Sequence, residues 1–238
     1  MCTLSWLPLE GGYELLFSRD ERHDRAPELP AAVHDGEGTT YLAPTDSQAG
    51  GHWLAVNHHG LTVALLNDDL ARPPAPGAPS RGQLVRRLAG SPSAAQALGR
   101  LQEDPDLERY AGFMLFLRDA SGPARVVAVS HGELSVAEGD GLAPLSSSSL
   151  DPERARAVRG ASWERLVAPA PSVEALHRFH LAKGPEGPDA FSPCMDREDA
   201  ATRSLCRVQV SGDAVRLAHA IGRPDRARLP EPLVLART

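Results

Sequence analysis

Over the first 70 residues the apolar positions come in short runs broken by turn residues, which is the spacing of strands. Residues 2–7 and 13–17 flank Pro8 and Gly11-Gly12. This predicts a hairpin that folds back about Leu9 and Glu10 and sets Cys2 opposite the stretch Ser18 to Asp20. A second hairpin is predicted from residues 53–56 and 61–66 about Asn57-His58-His59-Gly60, with the glycine supplying a left-handed turn position. Between the two, residues 26–52 are rich in Pro, Gly and Asp and read as a long irregular connection. Residues 72–79 form a proline-rich surface connection.

The period then lengthens to that of helices. Ser80 is placed to cap a helix over 81–89, and Ser91-Pro92 to supply the N-cap and first position of another that reaches Gln102. Leu84, Val85 and Leu88 form one buried face, and Ala94, Ala97, Leu98 and Leu101 a second. Strands are predicted again at 113–117, 125–129 and 133–137. Asp151 begins a helix over 152–167, a further helix covers 172–183, and a last strand spans 203–210. Within that strand, alternation puts Arg203, Leu205, Arg207 and Gln209 on one side.

Composition narrows the function. The 238 residues carry 25 basic and 31 acidic side chains, a net charge of −6. That balance argues against a nucleic-acid-binding protein, which would carry a basic stripe. Three cysteines, Cys2, Cys194 and Cys206, make no disulfide framework and no Cys-x-x-Cys pair, so a reducing, cytoplasmic location is expected. No apolar run approaches the roughly 20 residues of a membrane span, and no secretory leader pattern is seen. The length suits one domain over 1–238.

The candidate chemistry starts at Cys2. Methionine aminopeptidase can remove a methionine that precedes a residue this small. The exposed residue would then carry a thiol and an α-amine that titrate near 8.5 and 8, so the amine can serve as the thiol's base. The predicted hairpin brings Arg19 and Asp20 to the same place, where a carboxylate can hold the amine and a guanidinium can fix a carboxylate or thiolate. His58 and His59 are adjacent on a turn and point apart, so no metal site is expected.

These residues resemble a known family. Met1-Cys2, Ser18-Arg19-Asp20-Glu21, Arg25-Ala26-Pro27, Ala43-Pro44-Thr45-Asp46, the stretches 50–57 and 60–67, and Thr202-Arg203-Ser204 look like the NRDE family, which includes the Transport and Golgi organisation protein 2. The family's name motif is Asn-Arg-Asp-Glu, so Ser18 departs from it. The resemblance implies the N-terminal nucleophile hydrolase fold, an α+β, four-layer αββα sandwich of two antiparallel sheets, distantly similar to the choloylglycine hydrolases. It implies Cys2 as nucleophile, Arg19, Asp20 and Arg203 in the cleft, and Asn67 as an oxyanion donor. Read on its own, Asn67 is equally a residue that caps the turn before Asp68-Asp69. Ser147 stands where the family usually has Asn. Two functions follow from the resemblance. One is hydrolysis of a small non-peptide amide without a cofactor. The other is a non-enzymatic carrier of a hydrophobic acid or haem, with His58, His59 or Cys2 as axial ligands and Arg19 or Arg203 pairing with propionates.

Overall fold

The computed structural model describes residues 2–68, 77–130, 132–139 and 143–238. Met1 and most of the proline-rich connection at 72–79 lie outside them. Thirteen strands among the described residues form two antiparallel sheets. The first sheet has the order β10 (Leu145–Ser147), β1 (Cys2–Leu9), β2 (Gly12–Arg22), β11 (Ala200–Val210), β12 (Ala214–Ile221), β13 (Leu233–Ala236). In the second, β3 (Leu29–Gly36), β4 (Thr39–Thr45), β5 (Leu54–Asn57), β6 (Thr62–Asn67), β7 (Phe113–Arg118), β8 (Arg125–Ser130) and β9 (Glu133–Glu138) follow in chain order.

Period-two alternation explains the layering. Leu15 and Phe17 of β2 face the second sheet and pack with Leu4, Trp6, Leu54, Val56, Leu66 and Phe116. Leu16, between them, faces outward and is covered by Trp163 of α3 (Pro152–Leu166) and by Leu176 and Phe179 of α4 (Val173–His180). On the far side, Ala55, Val63, Leu65 and Leu115 meet Leu84, Val85 and Leu88 of α1 (Arg81–Leu88) and Ala97 and Leu101 of α2 (Ala94–Gln102). The result is the αββα sandwich. No helix among the described residues is long and apolar enough to cross a membrane.

The first hairpin forms with Leu9 paired to Gly12 and Cys2 to Arg19. At its turn end the Tyr13 hydroxyl donates to Gly60 O (2.9 Å), so the β5–β6 turn is packed against that end. Elsewhere the structure corrects the sequence reading. Residues 26–52 contain β3 and β4, joined by a two-residue turn in which Glu37 and Gly38 take φ of 52° and 78°. β3 is an edge strand with mostly exposed side chains, so no apolar alternation marks it. The N-cap of α2 is Ser93, whose Oγ accepts from Gln96 N (3.2 Å), and not Ser91. α4 stops at His180, short of 183. The serine stretch at 145–149 begins as β10, and β12 and β13 carry no prediction from the sequence.

Candidate active site

Cys2 opens β1 and is flanked by Arg19 in β2 and Ser147 in β10. Its backbone N–H donates to Ser147 Oγ at 3.0 Å. Its side chain is buried and lines a cavity of about 200 Å³ together with Arg19, Asp20, Trp53, Asn67 and Arg81. Burial pushes the thiol up to about 11; Asp20 adds to the rise and Arg19 opposes it. A thiol at 11 is ionised in roughly one molecule in ten thousand at pH 7, so attack on a carbonyl requires a local base.

Direct cross-strand pairing puts Arg19 on the face of Cys2. Its guanidinium donates to Glu28 (2.7 Å), Asp46 (3.1 Å) and Glu21 (3.2 Å), and it lies over the Trp53 ring at 4.5 Å from the centroid. Glu28 in turn meets His219 Nε2 at 2.8 Å, and Asp46 accepts from Arg25 and from the N–H groups of Gln48 and Ala49. Burial alone would raise the Glu28 carboxyl, but the hydrogen bond from His219 and the charge of Arg19 hold it below the usual range. Arg19 is therefore a charge held by three protein carboxylates.

Asp20, one residue on, turns toward the helices, and its side chain is fully buried. It accepts from Thr202 Oγ1 (2.6 Å) and from Arg159 Nη2 (3.0 Å). Arg159, on α3, is itself fully buried and reaches Thr3 Oγ1 (2.6 Å), the carbonyl of Cys2 (3.2 Å) and the carbonyl of Phe191 (3.3 Å). One guanidinium so ties the strand of Cys2 to the next strand and to the helix layer. Thr202 sits in the Thr-Arg-Ser stretch named above. Arg159 stands among several arginines of α3 and carries no sequence signal of its own.

The structure gathers Cys2, Arg19, Asp20 and Asn67 around one cavity, with Ser147 bonded to the Cys2 nitrogen. A second hollow of about 220 Å³ shares Asp20, Glu21 and Asn67 with the first. Arg203 is placed elsewhere. The β2–β11 register shifts between Thr202 and Ser204, and Arg203 donates to the carbonyls of Arg22 (3.0 Å) and Arg25 (3.1 Å), bracing the chain beyond β2. His58 and His59 lie on the β5–β6 turn, at the opposite end of β1 and β2 from Cys2. There His58 Nδ1 accepts from Thr40 N at 3.1 Å. Among the described residues no group of three His, Cys, Asp or Glu could hold a metal ion.

Residues 1–178 match the Transport and Golgi organisation 2 family. No curated protein matches the chain. Among solved structures, penicillin V acylase from Agrobacterium tumefaciens superposes with a TM-score of 0.58 at 14% identity, covering 91% of this chain and 82% of its own. A variant of the conjugated bile acid hydrolase from Clostridium perfringens gives 0.60 at 11% identity, over 100% of this chain and 97% of its own. The Caenorhabditis elegans orthologue of N-acylethanolamine-hydrolyzing acid amidase gives 0.58 at 10%, over 87% and 92%. At such identities the likeness is one of fold.

Proposed function

The chain belongs to the Transport and Golgi organisation 2 family on an N-terminal nucleophile hydrolase-like fold, and from that premise we propose that it hydrolyses a small non-peptide amide with Cys2 as nucleophile. The observation that carries this reading is the position of Cys2. Its nitrogen is held by Ser147 and its carbonyl by Arg159, while its side chain faces a cavity lined by Asn67 and the fixed charge of Arg19.

Removal of Met1 turns the bonded nitrogen of Cys2 into an α-amine with a lone pair. The amine takes the thiol proton as sulfur attacks the amide carbon, and the oxyanion that forms is stabilised by the Asn67 carboxamide, a donor worth about 3 kcal/mol in such sites. Ser147 Oγ and Asp20 hold the resulting ammonium. The ammonium then protonates the leaving nitrogen, the carbon–nitrogen bond breaks, and a thioester remains. Water attacks the thioester carbon with the amine again as base, releasing a carboxylic acid and restoring the thiol. The three structural neighbours are by name an acylase, a hydrolase and an amidase, which supports the reaction class.

The alternative reading, a carrier of haem or a hydrophobic acid, would use Cys2 and Arg19, which line the cavity, and has less support from the other residues named for it. His58 and His59 stand at the far end of β1 and β2 from Cys2, and Arg203 donates to the backbone carbonyls of Arg22 and Arg25. Cys2 alone among the proposed ligands lines the cavity.

The test is a panel of N-acyl amides given to wild type and Cys2→Ala, with mass spectrometry to find the acylated residue. Turnover that disappears in Cys2→Ala, with acyl mass on Cys2 rather than on Cys194 or Cys206, is the expected result. Equal turnover in both proteins, or ligand binding without turnover in either, overturns it.

A further inference from the structure

The largest of the described cavities lies on the other face of the first sheet, remote from the chemistry above. It has a volume of about 570 Å³, within the roughly 300–1,000 Å³ typical of small-molecule sites. α4 and the segment after β12 run along the outer face of the sheet and leave a hollow between them, floored by Leu16 and Arg207 and walled by Val173, Leu181, Ala227 and Leu229. A smaller hollow of about 220 Å³ adjoins it, and Arg207 and Leu229 line both.

Arg207 sits at this junction in a fixed pose. Its Nε donates to Glu14, whose side chain is fully buried in β2, and its two terminal nitrogens make no other bond among the described residues. Asp225, on the rim, is already paired with Lys183 and Arg223, each at 2.7 Å. Arg178 and Arg228 line the same hollow and form no ion pair among the described residues, while Glu174 is the remaining acid there. With Arg207 balanced by Glu14 and Asp225 by its partners, the hollow keeps two arginines against one glutamate, a surplus of one positive charge. A buried apolar floor at Leu16 and half-buried apolar walls, with one surplus cation and an anchored guanidinium, complement a single carboxylate on an alkyl chain.

We infer that this hollow is a binding site for an amphipathic monocarboxylate, its carboxylate on Arg207 with Arg178 and Arg228 at the rim, and its alkyl chain along Leu16, Leu181 and Leu229. The site is independent of Cys2 and of the hydrolase reading, because the first sheet separates the two.

The experiment is isothermal titration of the full chain with octanoate, decanoate and dodecanoate, and with decanol as the neutral control. Saturable binding of one equivalent is expected, tightening about three- to fourfold per added methylene, with decanol at least tenfold weaker than decanoate. Arg178→Glu/Arg228→Glu changes only exposed side chains and should weaken dodecanoate at least tenfold while leaving decanol unchanged. Ala227→Trp fills the hollow and should abolish both. Cys2→Ala should bind as wild type does. Absence of saturable binding, binding lost in Cys2→Ala but retained in Ala227→Trp, or no discrimination between decanoate and decanol each overturns the proposal. Circular dichroism of every variant confirms that a loss of binding is not a loss of fold.

Discussion

Replacing Arg159 with methionine tests whether Cys2 is held by a buried charge network. The substitution keeps an unbranched, flexible stem but removes the donors to Asp20, Thr3 Oγ1, the Cys2 carbonyl and the Phe191 carbonyl. Both members of the ion pair have fully buried side chains, so the variant leaves the Asp20 carboxylate inside the protein without this counter-charge. Breaking a buried pair on one side costs about 3–5 kcal/mol. For a chain of this size each kcal/mol shifts Tm by about 2–4 °C, so the expected drop is roughly 6–20 °C. Removing the orphaned charge as well, in Asp20→Asn/Arg159→Met, should recover part of the loss, giving a favourable coupling above about 1 kcal/mol. The assay is urea and thermal unfolding at pH 7 for wild type, both single variants and the double. A loss below about 1 kcal/mol in Arg159→Met, or strict additivity in the double variant, would refute the reasoning. In that case the Cys2 carbonyl is held by the sheet alone.

Three other perturbations follow from the same structure. His180 is enclosed by Ser5 (2.9 Å) and Ser18 (2.7 Å), and burial, helped by the charges of His177 and Arg159, lowers its pKa to about 3. A histidine with a depressed folded value stabilises fully above its unfolded pKa of about 6.5 and loses that contribution, by up to about 1.4 kcal/mol per pH unit, as pH falls toward the folded value. Unfolding measured between pH 7 and 4.5 should therefore show a shallower acid loss in His180→Gln than in wild type, and equal slopes would exclude His180 as the source. Gly51→Ala would set a Cβ 2.5 Å from the Gly82 carbonyl carbon at the cavity wall, so α1 must shift; a loss of about 1–3 kcal/mol in urea unfolding is expected, and an unchanged midpoint would show that the wall yields freely. Intact-mass spectrometry of protein purified from cells should find the chain without Met1, since an acylated nitrogen on Cys2 cannot take a proton; retained Met1 in active protein would remove the amine from the mechanism.

Local signals in the sequence carried the first hairpin and most helix starts. Gly11 and Gly12 mark a turn, and from a turn the register follows, so Cys2 falls beside Arg19. Ser80 and Asp151 cap helices through bonds to residues two or three positions away. Features decided at long range were harder to read. Thr202, and not Arg203, bonds to Asp20, and the register shift between Thr202 and Ser204 leaves no mark in alternation counted from one strand. Arg159 is one of several arginines on α3, and only the packing of that helix on β1 singles it out. β3 escaped because an exposed edge strand has no apolar face to display.

The strand that bears Cys2 has one neighbour, β2, made almost at once, and another, β10, made much later. Ser147 follows Cys2 by 145 positions, which at a synthesis rate of about 5–20 residues per second is an interval of roughly 7–30 s. Through that interval the nitrogen of Cys2 has no Ser147 beside it, and Arg159 emerges later still. The pairing of β10 then closes the edge, and the backbone at Cys2 is held on both sides. If the hydrolase reading proposed above holds, removal of Met1 by an aminopeptidase therefore belongs to the nascent chain. Material produced with its methionine in place and refolded from denaturant would enclose a blocked nitrogen in a correctly folded protein, so structural integrity and chemical competence would separate according to the history of the sample.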